Sequence, residues 1–583
     1  MQKPQKFVHL HVHSEYSVME SPATVRQIVD AAIRHGMPAI ALTDYNSLAG
    51  AAEFDLYARQ RGIKPIFGCE VFLKADAGDR QSDIRNRLHL TLLARTRQGW
   101  RNLCELTKCR LIDGRPAAEI YFALLEKHST GLIALSGCLA GEVSGCLLAE
   151  NREAAKQVIV RYSNIFGKGN FYIELQNHGL PEQQKLLPEL ASLADECDCP
   201  IVATNDIHYI SRKDHVLHDA MLCLATGARI TDRPRFNLPT REFYCKSGKE
   251  MHKAFERWPQ ALAETIKIAN RCNVSILPEK AHTLEPLGVC AIKPAAKLAE
   301  MCQKGLIRRF GSSAPDPATF DRLQAELAVI RDCGISEMFV TIAEMVAAAR
   351  EAGIVTWPGP GKLCASLVNY LLGITEINPM QHGLVFETFF NRESQQTPEF
   401  YILCSENRQF MSEFLQKRFG NNRTANISRY RRRSMDSAIR EIGKIIDIHP
   451  LEPQRVINSA IEATGKTLHE KIRKNAVMQA LARNPNHGLR QLIQLAADLE
   501  NLVTEVLPGN TILISPVKIE ENLPVFRTEK NAITTQFDSD SMRQAGFFAI
   551  NLAELDQLAI NRKTTELAGQ APPESLNLSH NHE

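Results

Sequence analysis

The sequence predicts an α/β multidomain protein whose first 275 or so residues form a parallel sheet or a distorted β/α barrel. Three observations carry that expectation. Short apolar runs alternate with amphipathic stretches through the first two hundred residues, the rhythm changes after about residue 275, and 583 residues exceed what one compact core organises. Parallel strands need a crossover between them, so a regular strand–helix alternation favours a parallel arrangement.

The strand-like runs come in order as FVHLH (7–11), AIALT (39–43), PIFGCEV (65–71), HLTLLA (89–94), LIALS (132–136), FYIEL (171–175) and IVAT (201–204). Between the first two, Val25, Ile28, Val29, Ala32 and Ile33 recur at helical spacing. The stretch 181–196 reads as another helix, and Pro200 opens the strand after it. Beyond residue 275, helical patterns at 296–310 and 319–334 lead to a Gly/Pro loop, WPGPGK (357–362). A basic, mostly helical segment covers roughly 430–505, a β-rich return spans 511–551, and the polar tail QAPPESLNLSHNHE reads as disordered.

Composition narrows the class. Hydrophobic residues at 44% and charged residues at 23% describe a soluble globular chain. No apolar run is long enough to span a bilayer, and the opening MQKPQKFVHLHVHSEYS lacks the apolar core of a secretory signal. Fifteen cysteines without a paired framework fit thiols in a reducing cytosol, so the expected location is cytoplasmic. A net charge of +3 is too small to argue for nucleic acid by itself.

Ligand-type residues gather where the predicted strands end. His11 and His13 are an i, i+2 pair that extended backbone points to one side, and Asp206 and His208 repeat the spacing after IVAT. Glu70 ends the third run, His89 sits beside the fourth and Cys138 follows the fifth. Loops at the C-terminal strand ends of a β/α barrel build its active site, so these residues have a place to converge. Such a donor set suits Zn²⁺, Mn²⁺ or Fe²⁺, and close metals suit phosphoester hydrolysis. Taken singly, each has a plainer reading: an incidental HxH or DxH, and a small buried Cys138.

The segments FVHLHVHSEYS (7–17), AIALTDYNSLAGA (39–51), GIKPIFGCEVFL (62–73), ALSGCLAGEV (134–143) and IVATNDIHYIS (201–211) resemble, in order and spacing, the motifs of the PHP domain of bacterial DNA polymerase III alpha subunits. That resemblance implies a distorted β/α barrel that holds up to three metals and acts as a 3′–5′ exonuclease where its site is intact. The implied ligands are His11, His13, Glu20, Glu70, His89, Cys138, Asp206 and His208. Glu20 stands where the family usually has Asp, and Tyr45 stands where it has His. A phenol with a pKa near 10 is a poor ligand at neutral pH.

The second half resembles the family's palm, a polymerase-beta-like fold, through LVNYLLGITEINPMQHGLVFETFFNRE (367–393). The family then carries PDxDxDF. Here Pro398 is followed by Glu399, Phe400, Tyr401, Ile402, Leu403 and Cys404, so Tyr401 and Leu403 replace both aspartates. The stretch 534–555 resembles the segment with the third carboxylate, where Asn551 now stands. The phosphate loop is shortened to GPGKLCASLV (359–368), in which Lys362 either meets a phosphate or is simply solvated. Two Mg²⁺ ions need carboxylates, so no palm Mg²⁺ and no synthesis are expected.

The resemblance divides the chain into a PHP metal-binding domain (1–275), a first palm-like part (276–430), a thumb-like helical segment (431–508), a palm-like return (509–560) and a tail (561–583). It implies a truncated, degenerate paralogue without the family's clamp-binding segment. Arg429, Arg431, Arg432 and Arg433 around Tyr430 either clamp DNA phosphates or form a solvated run at a helix start. Four functions stay open: a metal-dependent phosphoesterase or 3′–5′ exonuclease on nucleic acid, a non-catalytic module binding DNA or replication and repair proteins, a decaying copy, and a DNA-directed DNA polymerase by similarity.

Overall fold

The computed structural model describes residues 6–74, 88–112, 115–117, 120–277, 293–311, 316–357, 359, 361–394, 397–528 and 532–568. The chain divides into two units. The first holds 1–276, 429–507 and 521–531; the second holds 277–428, 508–520 and 532–583.

In the first unit, β1 (Ala39–Leu42), β2 (Lys64–Lys74), β3 (Leu88–Ala94), β4 (Leu132–Leu135), β5 (Phe171–Gln176) and β6 (Ile201–Thr204) lie side by side in that order. Pairing is parallel from β1 to β2 and from β4 through β6, as the alternation predicts. It is antiparallel on both sides of β3, which departs from an all-parallel sheet. The helices Val25–Arg34 and Pro181–Glu196 fall where the periodicity places them.

The run FVHLH is buried and extended, but it is not a regular strand. Val8 N donates to Thr265 Oγ1 at 3.2 Å and Val12 N to Thr43 Oγ1 at 2.8 Å, so side-chain hydroxyls take amides that a ladder would use. The segment still bonds on both sides. Ala41 N donates to His9 O and Thr43 N to Val12 O, while His13 N donates to Ile207 O and Ile207 N to His11 O. By bonding to β1 and to the residues just past β6, it closes the sheet into a distorted barrel.

The barrel interior is apolar and tightly packed. Val8, Leu10, Ala41, Ile66, Leu93, Ile133, Leu135 and Val202 form its buried core. A Cβ at Gly68 would meet Leu92 O at 2.4 Å and Leu93 Cδ2 at 2.7 Å, where backbone cannot yield. Gly68→Ala is therefore expected to destabilise the chain by about 1–3 kcal/mol, read as a lower urea midpoint than the wild type shows.

The segment 431–508 carries helices Met435–Ile445, Leu451–Glu462, Leu468–Lys474, Ala476–Ala482 and His487–Leu499, and from Val503 it is strand, not helix. Its apolar faces, including Ile439, Ile442, Leu492 and Ile493, bury Leu217, Met221 and Cys223 of the helix His215–Thr226 within the same unit. The arginine run, expected at a helix start, lies instead on the strand Thr424–Arg432 and just after it.

In the second unit, helices Pro294–Phe310, Pro317–Asp332 and Ser336–Glu351 pack on a sheet. There β7 (Phe400–Cys404) pairs parallel with β11 (Phe548–Glu554), β11 pairs antiparallel with Thr511–Ile514 of β9 (Val503–Ile514), and Asn426–Ile427 of β8 (Thr424–Arg432) pair parallel with β10 (Ile533–Thr535). Phe339, Phe389, Phe400 and Phe548 meet edge-on at its centre. Residues 561–567, expected in a disordered tail, belong instead to the helix Asp556–Leu567; residues 569–583 lie outside the described residues. No helix among the described residues is long and apolar enough to cross a membrane.

Candidate metal centre

Closure of the barrel brings the two histidines of the first segment against the end of β6. His11 Nε2 and His13 Nε2 each lie 3.0 Å from Glu70 Oε2. The same nitrogens lie 3.4 and 3.3 Å from Asp206 Oδ1. His11, His13, Glu70 and Asp206 are all buried, with one donor atom from each within 4.8 Å of every other. Asp206 adopts φ 41°, a left-handed backbone that turns its carboxylate back toward the histidines.

Each imidazole is aimed by a bond on its other nitrogen. His11 Nδ1 lies 2.7 Å from Glu174 Oε1, and Glu174 also accepts from Gly137 N at 3.1 Å, Gln176 Nε2 at 3.1 Å and the Thr204 hydroxyl. His13 Nδ1 lies 3.1 Å from Ser17 Oγ, whose own proton goes to Asp44 Oδ1 at 2.7 Å. Asp44 is held in turn by Ser14 N and Ser14 Oγ at 2.6 and 2.7 Å. Both Nε2 lone pairs then face the carboxylates, the arrangement that carboxylate–histidine pairs give a metal.

The electrostatics call for a positive charge at this point. Burial pushes the His11 imidazole down, but Glu174, Glu70 and Asp206 outweigh it and hold its pKa well above the usual value. Burial likewise works against the carboxylates, yet His11 and His89 hold Glu70 well below its usual range, and His11 and His208 do the same for Asp206. His13 Nε2 and Asp206 Oδ1 are buried and close no hydrogen bond despite their 3.3 Å separation. Buried donor atoms held at ion-pair distance from one another, with hydrogen-bond geometry not closed between these two, fit a shared divalent cation, which replaces protons in such a set.

A second group shares Glu70. Its other oxygen, Oε1, lies 2.8 Å from His89 Nδ1, and Cys138 Sγ lies 3.7 Å from the same nitrogen. Burial, then the Glu70 and Asp206 carboxylates, push the Cys138 thiol well up, so it ligates only where a cation draws off its proton.

Glu20 and His208 stand outside both groups, unlike the other implied ligands. The charge of Glu20 acts on Tyr45. His208 donates from Nδ1 to the Asp206 carbonyl at 3.0 Å, which leaves its Nε2 bare. Tyr45 closes that position. Its ring stacks on His13 at 4.1 Å between centroids, and its hydroxyl sits 3.4 Å from His208 Nε2. Burial first, then Glu70 and Asp206, raise the phenol pKa well above 10, so the hydroxyl stays protonated.

Glu174 is the participant that sequence reasoning missed. It sits inside a strand in which every residue is buried, and a carboxylate there is the signal to follow. Glu174→Gln is expected to weaken metal binding by about 10–100-fold with the ligands themselves untouched. Competition against a chromogenic chelator measures it.

The palm positions also come together, without carboxylates. Tyr401 of β7 pairs with Asn551 of β11, and Leu403 lies two residues along the same face. Glu399 is bound by Arg543 at 2.9 Å. Among the described residues, the groups of three or more His, Cys, Asp or Glu close enough to hold a metal are the two at the barrel. Lys362 is exposed on the turn Gly361–Ala365. The amides after that turn are taken: Glu326 accepts from Leu367 N at 3.0 Å, Val368 N at 3.1 Å and Ser366 Oγ at 2.8 Å.

The arginine run is largely spent on internal pairs. Arg431 meets Glu505, Arg432 meets Glu15 at 2.6 Å, and buried Arg433 meets Glu441 at 2.9 Å. Arg429 is exposed.

Two family models match the chain: the PHP domain over residues 9–178, and the bacterial DNA polymerase III alpha NTPase domain over 296–552. DNA polymerase III subunit alpha of Treponema pallidum is 32% identical over 96% of this chain and 48% of that relative. The subunit of Borreliella burgdorferi is 30% identical over 98% and 50%, and that of Caulobacter vibrioides 32% over 95% and 49%. The chain spans about half the length of the curated relatives it matches.

Proposed function

The chain belongs to the family of bacterial DNA polymerase III alpha subunits, and from that premise we propose that it is a metal-dependent phosphoesterase, a 3′–5′ exonuclease on DNA, that does not polymerise. The observation that carries the reading is the buried quartet His11, His13, Glu70 and Asp206, with His13 Nε2 and Asp206 Oδ1 left unbonded. Those four residues would hold a Zn²⁺, Mn²⁺ or Fe²⁺ ion, and Glu70 would present its second oxygen to His89 and Cys138. When bound, the cation supplies Lewis acidity to a phosphoryl oxygen.

The protein's own residues do the rest. Glu174, Ser17 and Asp44 fix the imidazole tautomers and orientations before substrate arrives, so no reorganisation is needed during the reaction. The buried walls exclude water and strengthen every charge interaction inside them. In the palm, Tyr401, Leu403 and Asn551 offer no anionic oxygen, and Glu326 occupies the amides that a phosphate would need.

Tyr45 favours a second reading, a non-catalytic paralogue that binds DNA or replication and repair proteins, because its hydroxyl occupies His208 Nε2. Incubating the full chain with 3′-labelled single-stranded DNA and Mn²⁺ or Zn²⁺ separates the two. Release of labelled mononucleotide that disappears in His13→Ala supports the exonuclease. DNA retention without cleavage, unaltered by His13→Ala, supports the second reading.

A further inference from the structure

Beside the metal centre lies a cavity of about 200 Å³, walled by Tyr209, His215, His218, Asp219, Thr240 and Arg241 among others. His208 links it to the centre: the His208 ring lies 4.6 Å from that of His13 and 5.3 Å from that of His218, which in turn lies 5.4 Å from that of Tyr209. The fold keeps this wall fixed. His218 Nε2 donates to the Glu20 carbonyl at 3.0 Å, and Arg235 grips Asp219 through two bonds of 2.6 and 2.7 Å.

Two hydroxyls of the lining stay without an acceptor. Tyr209 is 1% exposed and its hydroxyl proton reaches no acceptor, and the Thr240 hydroxyl is buried and unbonded. A buried hydroxyl without a partner costs stability, so two of them on one small cavity need an occupant that accepts hydrogen bonds. Arg241 is exposed at the rim and adds positive charge. Whole small-molecule ligands usually occupy about 300 Å³ or more, so the space suits part of a nucleotide.

We propose that this cavity is a second substrate subsite, which holds a sugar–phosphate unit adjoining the phosphoester presented to His11, His13, Glu70 and Asp206. The assignment rests on the phosphoesterase reading for its role, but the binding itself is measurable without turnover. Tyr209 and Thr240 donate to phosphate or sugar oxygens, and Arg241 neutralises charge at the entrance.

Thymidine 5′-monophosphate is the probe, titrated calorimetrically into the full chain with and without Mn²⁺, with inorganic phosphate as a second titrant. Tyr209→Phe removes one oxygen, and Arg241→Met alters an exposed position that the fold does not need. Each is expected to weaken nucleotide binding about tenfold with bound metal unchanged. Loss of binding in these variants, in a chain that cleaves no DNA, sustains the subsite and removes the exonuclease. Cleavage of DNA at wild-type kcat and KM in both variants, or equal nucleotide affinity in all three proteins, overturns the subsite and leaves the exonuclease standing.

Discussion

Asp206→Asn is expected to abolish metal binding and, with it, any hydrolysis of DNA, while the chain remains folded. The substitution keeps the shape of the side chain and removes the charge that His11 and His13 face at 3.4 and 3.3 Å. Residues that merely orient a ligand are worth about 10–100-fold in metal affinity, so loss of a buried ligand should cost at least about 100-fold. A readout independent of activity follows from mass action. At a metal concentration of about 100 times its dissociation constant, the folded wild type gains about 2.7 kcal/mol, which raises its melting temperature. The Asp206→Asn chain should melt at one temperature with or without metal. A variant that gains as much from metal as the wild type would show that Asp206 is not a ligand.

Primer extension is the second large expectation, and the expected extent is none above background with Mg²⁺ or Mn²⁺. Nucleotidyl transfer depends on two close metals bridged by carboxylates. Tyr401 and Asn551 face one another across β7 and β11, so the structure gathers the required positions but not the required chemistry. Glu399 is no substitute, because Arg543 already holds it. Extension on a primed template that vanishes in Glu399→Gln would contradict this account.

The sequence made the strand ends legible, and with them His11, His13, Glu70, His89, Cys138 and Asp206, because apolar runs and their terminal polar residues are local signals. What it hid was long-range. The run FVHLH has the composition of a strand, but the hydroxyl of Thr265, far along the chain, takes the amide of Val8, and that of Thr43 takes the amide of Val12 just past the run. Glu174 escaped notice because a carboxylate within FYIEL reads as an outward residue of an alternating strand, whereas both faces of β5 are buried. The internal pairing of Arg431, Arg432 and Arg433 was not legible because Glu505, Glu15 and Glu441 lie elsewhere in sequence. Glu20 and His208 match the family pattern by position, yet the fold leaves them beside the ligand groups rather than in them. The capping of His208 by Tyr45 could not be seen from the chain alone, since it depends on their approach across the barrel mouth.

The central claim is that His11, His13, Glu70 and Asp206 form a metal site, and elemental analysis of the full chain purified without chelator tests it most directly. The account predicts about one or two divalent ions per chain that survive desalting. A folded chain that carries none, even after incubation with Zn²⁺, Mn²⁺ and Fe²⁺, would contradict it.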